Sequence, residues 1–129
     1  MTDLAGNLRA VRARIDAAAR SAGRDPSSVA LLAVSKTWPA DDVRALVALG
    51  QLGFGENRAQ ELIAKAPALA DLPLRWHFIG QLQRNKAAAV ARLGAVVHTV
   101  DRESLVRALD RVGRDDDRPV AVLVLVDLG

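Results

Sequence analysis

Cysteine and tyrosine are both absent from the 129-residue sequence, and aromatic residues make up only 3% of it. Without cysteine there is no disulfide framework and no thiolate metal site. Only two histidines exist, His77 and His98, and neither has ligand-like spacing to carboxylates, so no metal is expected. Scarce aromatics leave the basic residues without stacking partners, which argues against nucleic-acid binding. Arg9, Arg12, Arg14, Arg20 and Arg24 are interspersed with apolar helix positions and read as a solvated face. No apolar run approaches the ~20 residues of a membrane helix. The N-terminal stretch "MTDLAGNLRAVRARIDAAARSAG" lacks the continuous apolar centre of a signal peptide, so the expected location is cytoplasmic. Gly50, Gly53 and Gly55 make no dinucleotide fingerprint, and neither a GxSxG nor a P-loop is present. Lysine is scarce too: Lys36, Lys65 and Lys86 stand against 15 arginines. Arg cannot lose its proton and become a nucleophile, so each Lys is an informative choice.

What is present reads as one globular domain over residues 1–129. Half the chain is apolar and a quarter is charged, with a weak net charge of +3. Leu4, Leu8, Val11, Ile15, Ala18 and Ala22 form one apolar stripe of a first helix, with Gly23 as its stop. "VALLAV" is apolar throughout and predicts a strand buried on both faces. Pro39 suits the first turn of the next helix, with Val43, Leu46 and Val47 inward and Gly50 at its end. "LGFGEN" predicts a short strand, and Asn57 with Gln60 resembles a capping arrangement for a helix reaching about Lys65. "LRWHFIG" and "AVVHTV" predict strands separated by a helix that Gly94 ends. Asp101 is placed to cap the following helix, with Gly113 as its end, and "VAVLVLVDL" predicts a fifth buried strand.

Strands thus begin near residues 29, 52, 74, 95 and 120, in strict alternation with helices. That order implies an α/β fold with parallel strands and right-handed crossovers. Spacing alone leaves two architectures: an open doubly wound sheet or a (β/α) barrel. An eight-strand barrel takes about 200 residues or more, so the expectation is an open sheet or part of a longer design.

In either architecture, binding groups gather at the C-terminal ends of the strands. Those ends are Ser35-Lys36-Thr37, Gly55-Glu56-Asn57, His77 to Gln81, and Thr99 to Asp101. Lys36, Asn57, His77 and Gln81 are therefore the candidates for one mouth. Two readings of Lys36 stand side by side. At a partly buried strand end, desolvation would favour the neutral amine, which attacks aldehydes. Alternatively Lys36 escapes to solvent or pairs with a carboxylate such as Glu56. His77, between Trp76 and Phe78, reads most simply as a hydrogen-bonded core residue, and Asn57 as a helix cap first.

"LLAVSKTWP", "LGFGENRAQEL", "LRWHFIGQLQRNK" and "VVHTVDRESL", in this order, resemble the pyridoxal-phosphate homeostasis proteins of the YggS or PROSC type. The resemblance runs over roughly residues 5–127. It implies a (β/α) barrel of the alanine racemase N-terminal type, here about its first five strands. It implies pyridoxal 5'-phosphate (PLP) held as a Schiff base on Lys36, with Asn57 and His77 at the cofactor mouth. It further implies a role in intracellular PLP, vitamin B6 and amino-acid homeostasis, without catalytic turnover and with PLP-dependent acceptor enzymes as partners. In the family the cofactor phosphate is held after the last strands, which this sequence does not contain. Weak cofactor binding is the resulting expectation, with self-association through the open sheet edges. A racemase-like enzyme is the alternative, although racemisation needs a second acid/base group and the chain has no Tyr. A fragment with weak or no binding is the other.

Overall fold

The computed structural model describes residues 2–129. Five helices alternate with five strands: α1 (Leu4–Ser21), β1 (Ala33–Val34), α2 (Ala40–Ala48), β2 (Gly53–Glu56), α3 (Ala59–Lys65), β3 (Arg75–Phe78), α4 (Ala87–Arg92), β4 (Val96–Val100), α5 (Glu103–Asp115) and β5 (Val122–Val124). The strands form one sheet in the order β1-β2-β3-β4-β5. All four pairings are parallel.

That order decides between the two architectures. A doubly wound sheet reverses direction at a switch point, which places helices on both faces. Here each strand is added beside the last, so right-handed crossovers stack α2 to α5 on the same face. The side chains agree. Phe54, Trp76, Phe78 and Val97 join Val43 of α2, Leu62 of α3, Val90 of α4, and Leu105, Leu109 and Val112 of α5 in a single core. On the opposite face, one register row reads Val34, Gly55, His77, Val96. This is the barrel-type arrangement, with its inner face open.

The edges depart from expectation. β1 was expected to be buried on both sides from Val29 onward. Only Ala33 and Val34 join the ladder, and Val34 is 49% exposed. β5 was expected to be buried, yet Val122, Leu123 and Val124 are all exposed, the last by 73%. Both are edge strands, each with one neighbour and no side chains on the open face to cover them.

Three helix boundaries also differ. In α1, Leu4, Leu8 and Ile15 keep the expected stripe, but Ala19 rather than Ala18 is buried, and Val11 is exposed and yields its inward place to the next residue. Arg12 occupies it and donates to Gln51 Oε1 at 2.9 Å. Arg58, not Asn57, is the N-cap of α3, and Arg102, not Asp101, that of α5. Gly113 does not end α5, which continues to Asp115. A Cβ at Gly113 would lie 3.1 Å from the Arg118 carbonyl oxygen, so this glycine serves the close return of the chain.

Candidate functional site

The site begins where β1 runs out. Alternation along a strand turns successive side chains to opposite faces. Ala33 packs against the helix-side core and Ser35 is buried on that side. Lys36 follows as an exposed turn residue just past the strand. The partial burial expected for Lys36 is therefore absent. The expected Glu56 partner is also taken. Glu56 is fully buried and bonded to Lys65 Nζ at 2.5 Å. No hydrogen bond or ion pair to Lys36 Nζ occurs among the described residues.

Beneath Lys36 lies a charged cluster that the sequence reading missed. The Lys65 side chain, 7% exposed, donates to Glu56 Oε1, to Glu61 Oε2 at 2.9 Å and to the Ser35 carbonyl at 2.9 Å. Ser35 Oγ donates to Glu56 Oε1 at 2.9 Å. The Thr37 amide donates to Glu61 Oε2 at 2.6 Å. Burial opposes the charge on Lys65, but hydrogen bonds to Glu56 and Glu61 outweigh it and hold the ammonium above its ordinary range. The bond from Lys65 holds the Glu61 carboxyl below the usual carboxylate range. Signals for this cluster existed in the sequence. Lys65 is one of three lysines, and Glu61 stands four residues before it on α3, the favourable ion-pair spacing.

Thr37 has φ +67°, a left-handed conformation that a β-branched residue rarely adopts. Such a conformation persists only where surrounding contacts over-determine it. Here the Glu61 bond to its amide does so.

His77 and His98 meet on the open face, with Nδ1 of His77 2.9 Å from Nε2 of His98 and the rings edge-to-face. The reading of His77 as hydrogen-bonded holds, but its partner is another imidazole rather than the core around Trp76 and Phe78. One ring must donate and the other accept, so the contact tolerates one added proton and not two. Burial pushes the His77 imidazole below its ordinary value, with repulsion from His98 and Arg75 adding to it. The unfolded chain thus binds this proton more tightly than the folded one. The associated stability is complete above the ordinary His pKa of about 6.5 and is lost as pH falls through the lower folded value. Urea midpoints measured from pH 7.5 to 5 are expected to fall on the acid side, with a shallower fall in His77→Gln.

Asn57 is half-buried and, with Gln60, Gln81, Gln83 and Lys86, lines a shallow cleft of about 260 Å³ beside the strand ends. Its carbonyl passes so close to Gly80 that a Cβ there would lie 2.0 Å from the oxygen. Thr99 Oγ1 donates to the Gly80 carbonyl at 2.5 Å, tying the β3 and β4 ends together. Lys36, Asn57 and Gln81 thus follow the ends of β1, β2 and β3, with Asn57 and Gln81 in one cleft, whereas His77 and His98 lie within β3 and β4 on the open face. Among the described residues, no group of three or more His, Asp or Glu is placed to hold a metal ion. Among them, no helix is long and apolar enough to cross a membrane.

Residues 6–129 match the family described as "Alanine racemase, N-terminal domain". A pyridoxal phosphate homeostasis protein of Pseudomonas aeruginosa is 51% identical over 109 residues, covering 84% of this chain and 47% of that protein. Its namesake in Escherichia coli K12 is 40% identical over 131 residues, covering 99% and 56%. Among solved structures, PipY of Synechococcus elongatus PCC7942, with PLP bound, superimposes with a TM-score of 0.76 at 43% identity, covering 92% of this chain and 55% of that one. The chain spans about half the length of the curated relatives it matches. With its sequential parallel sheet, one-sided helices and family match along nearly its whole length, this chain belongs to the alanine racemase N-terminal domain family, with pyridoxal phosphate homeostasis proteins among its relatives by sequence.

Proposed function

We propose that this chain binds PLP, that Lys36 holds it as a Schiff base, and that Asn57 and His77 border the bound cofactor. The role proposed with it is that of a cytoplasmic carrier or regulator in vitamin B6 and amino-acid balance, supplying acceptor enzymes and performing no turnover of its own. The kinship with PipY, solved with PLP bound, supports the cofactor.

One observation carries the reading. Lys36 offers an exposed amine at a strand end, and the carboxylates bonded to its two neighbours are already neutralised. Glu56, which accepts from Ser35, and Glu61, which accepts from Thr37, are both paired with Lys65. An incoming ligand therefore reaches Lys36 without breaking an ion pair. The cofactor supplies an aldehyde, which condenses with a primary amine and releases water. Lys36 must supply that amine in its neutral form, giving up its proton to solvent. Lys65 has no such freedom, since all three of its donors are committed inside the fold.

The test is direct. PLP is added to the chain, the mixture is reduced with borohydride, and the peptides are mapped by mass spectrometry. Label concentrated on Lys36 is expected, with Lys65 unlabelled. The visible absorbance that accompanies binding is expected to disappear in Lys36→Ala. Label spread evenly over Lys86 and the amino terminus would remove Lys36 from its role. Racemisation of an amino acid by the PLP-loaded chain would replace the carrier reading with an enzymatic one.

Self-association through the β5 edge belongs to the same proposal. Val122 to Val126 are exposed and carry no charge to guard the edge. Light scattering is expected to show mass growing with concentration. A constant monomer mass would count against it.

A further inference from the structure

The geometry points to Lys65 as the residue that positions Lys36. This rests on the reading of Lys36 as the cofactor amine and deepens it. The direction of the Lys36 side chain is set by the two peptide units flanking its Cα. The first presents the Ser35 carbonyl, which accepts from Lys65 Nζ at 2.9 Å. The second presents the Thr37 amide, which donates to Glu61 Oε2, and that same oxygen accepts from Lys65 Nζ at 2.9 Å. Both peptide planes are thus tied, directly or through one carboxylate, to a single buried ammonium. Ser35 is fixed further by its own amide to the Gly55 carbonyl at 2.9 Å and by its hydroxyl to Glu56.

The left-handed Thr37 is the independent sign that this turn is held against its intrinsic preference. Lysine suits the task because its ammonium aims three donors in three directions, whereas a guanidinium presents a flat fork. Lys36 is exposed whereas Lys86 is half-buried, so desolvation does not favour Lys36. Fixed orientation does. A pre-aimed amine reacts faster than one that must search, because part of the ordering is already done.

Two measurements test this. Amide hydrogen exchange at Thr37 reads the clamp without any cofactor. Reductive capture of PLP on Lys36 relative to Lys86 reads its consequence. In Glu61→Ala the Thr37 amide is expected to exchange at least about tenfold faster, from the loss of a charge-assisted bond. The Lys36-to-Lys86 labelling ratio should fall severalfold. Glu61→Gln keeps an acceptor oxygen and should restore most of both. Lys65→Met alone risks unfolding, so Glu56→Leu/Lys65→Met, which removes both buried charges, serves as the folded variant. In it the Lys36 preference should approach that of Lys86. Thr37 exchange and Lys36 preference unchanged in Glu61→Ala and in the double variant would overturn the inference. Absence of Lys36 preference in the unaltered chain would instead defeat the cofactor reading, while Thr37 exchange would still decide whether Lys65 clamps the turn.

Discussion

Lys65→Met is expected to cost about 3–5 kcal/mol of folding stability, whereas Glu56→Leu/Lys65→Met is expected to fold with stability close to the unaltered chain. The asymmetry comes from desolvation. Glu56 is fully buried, so removing its ammonium partner strands a charge in the interior. Replacing both partners by apolar side chains of similar volume removes these two charges and their desolvation together, while the part-exposed Glu61 keeps the Thr37 amide and the Ser35 carbonyl keeps the Trp38 amide. The native pair is also imperfect. Glu56 Oε1 receives bonds from Lys65 and Ser35, but the buried Oε2 has no hydrogen-bond partner among the described residues. An unpartnered buried oxygen costs about 1–3 kcal/mol, which lowers the penalty for losing the pair as a whole. Urea midpoints of the three chains at pH 7 check this. If the double variant were as unstable as Lys65→Met, the buried pair would be a net stabiliser and the desolvation reasoning would fail.

The same cluster sets a pH window. Glu61 has its pKa lowered in the fold, so its contribution is present above the ordinary Glu value of about 4.3 and is lost as pH falls through the lower folded one. Lys65 has its pKa raised, so its contribution is present below about 10.4 and is lost as pH rises through the higher folded value. The clamp beneath Lys36 is therefore intact across the neutral range, where an amine and an aldehyde would meet.

Gly80→Ala should destabilise the chain by about 3 kcal/mol or more, at the upper end of overpacking costs. The added Cβ would sit 2.0 Å from the Asn57 carbonyl oxygen and 2.7 Å from its carbonyl carbon. Both atoms are backbone, so no rotamer change relieves the clash, and the β2 and β3 ends must separate. Separation would also strain the Thr99 bond to the Gly80 carbonyl. Gly94→Ala is the control. It has φ +76° and nothing within 4 Å, so it carries only the conformational cost of about 1–2 kcal/mol. Equal urea midpoints for the two variants would show that the close approach at Gly80 does not constrain the fold.

Much of the architecture was legible because it is written in short-range pattern. Apolar runs of strand length, separated by helical periodicity and closed by glycine, fixed the element order. Gly23, Gly50 and Gly94 do take the left-handed conformations that stop signals imply. The misread caps had a local cause. Asn57 and Asp101 have capping chemistry, but the helices begin one residue beyond each, after Arg58 and Arg102. Arg102 instead sends its guanidinium to the Leu82 carbonyl and to Asp101, a tertiary demand that no capping rule contains.

The order of strands and helices, the rarity of lysine and the placing of Lys36 and Asn57 just past strand ends were determined by the sequence itself, since each follows from residue spacing along one chain. Which lysine is buried and which is free was decided only in three dimensions. Lys65 reaches Ser35 across 30 residues and Glu56 across nine, and the contact exists because parallel pairing sets the ends of β1 and β2 side by side over α3. Hydrophobic periodicity says which face a side chain turns to, but the partner waiting there is chosen by chain packing.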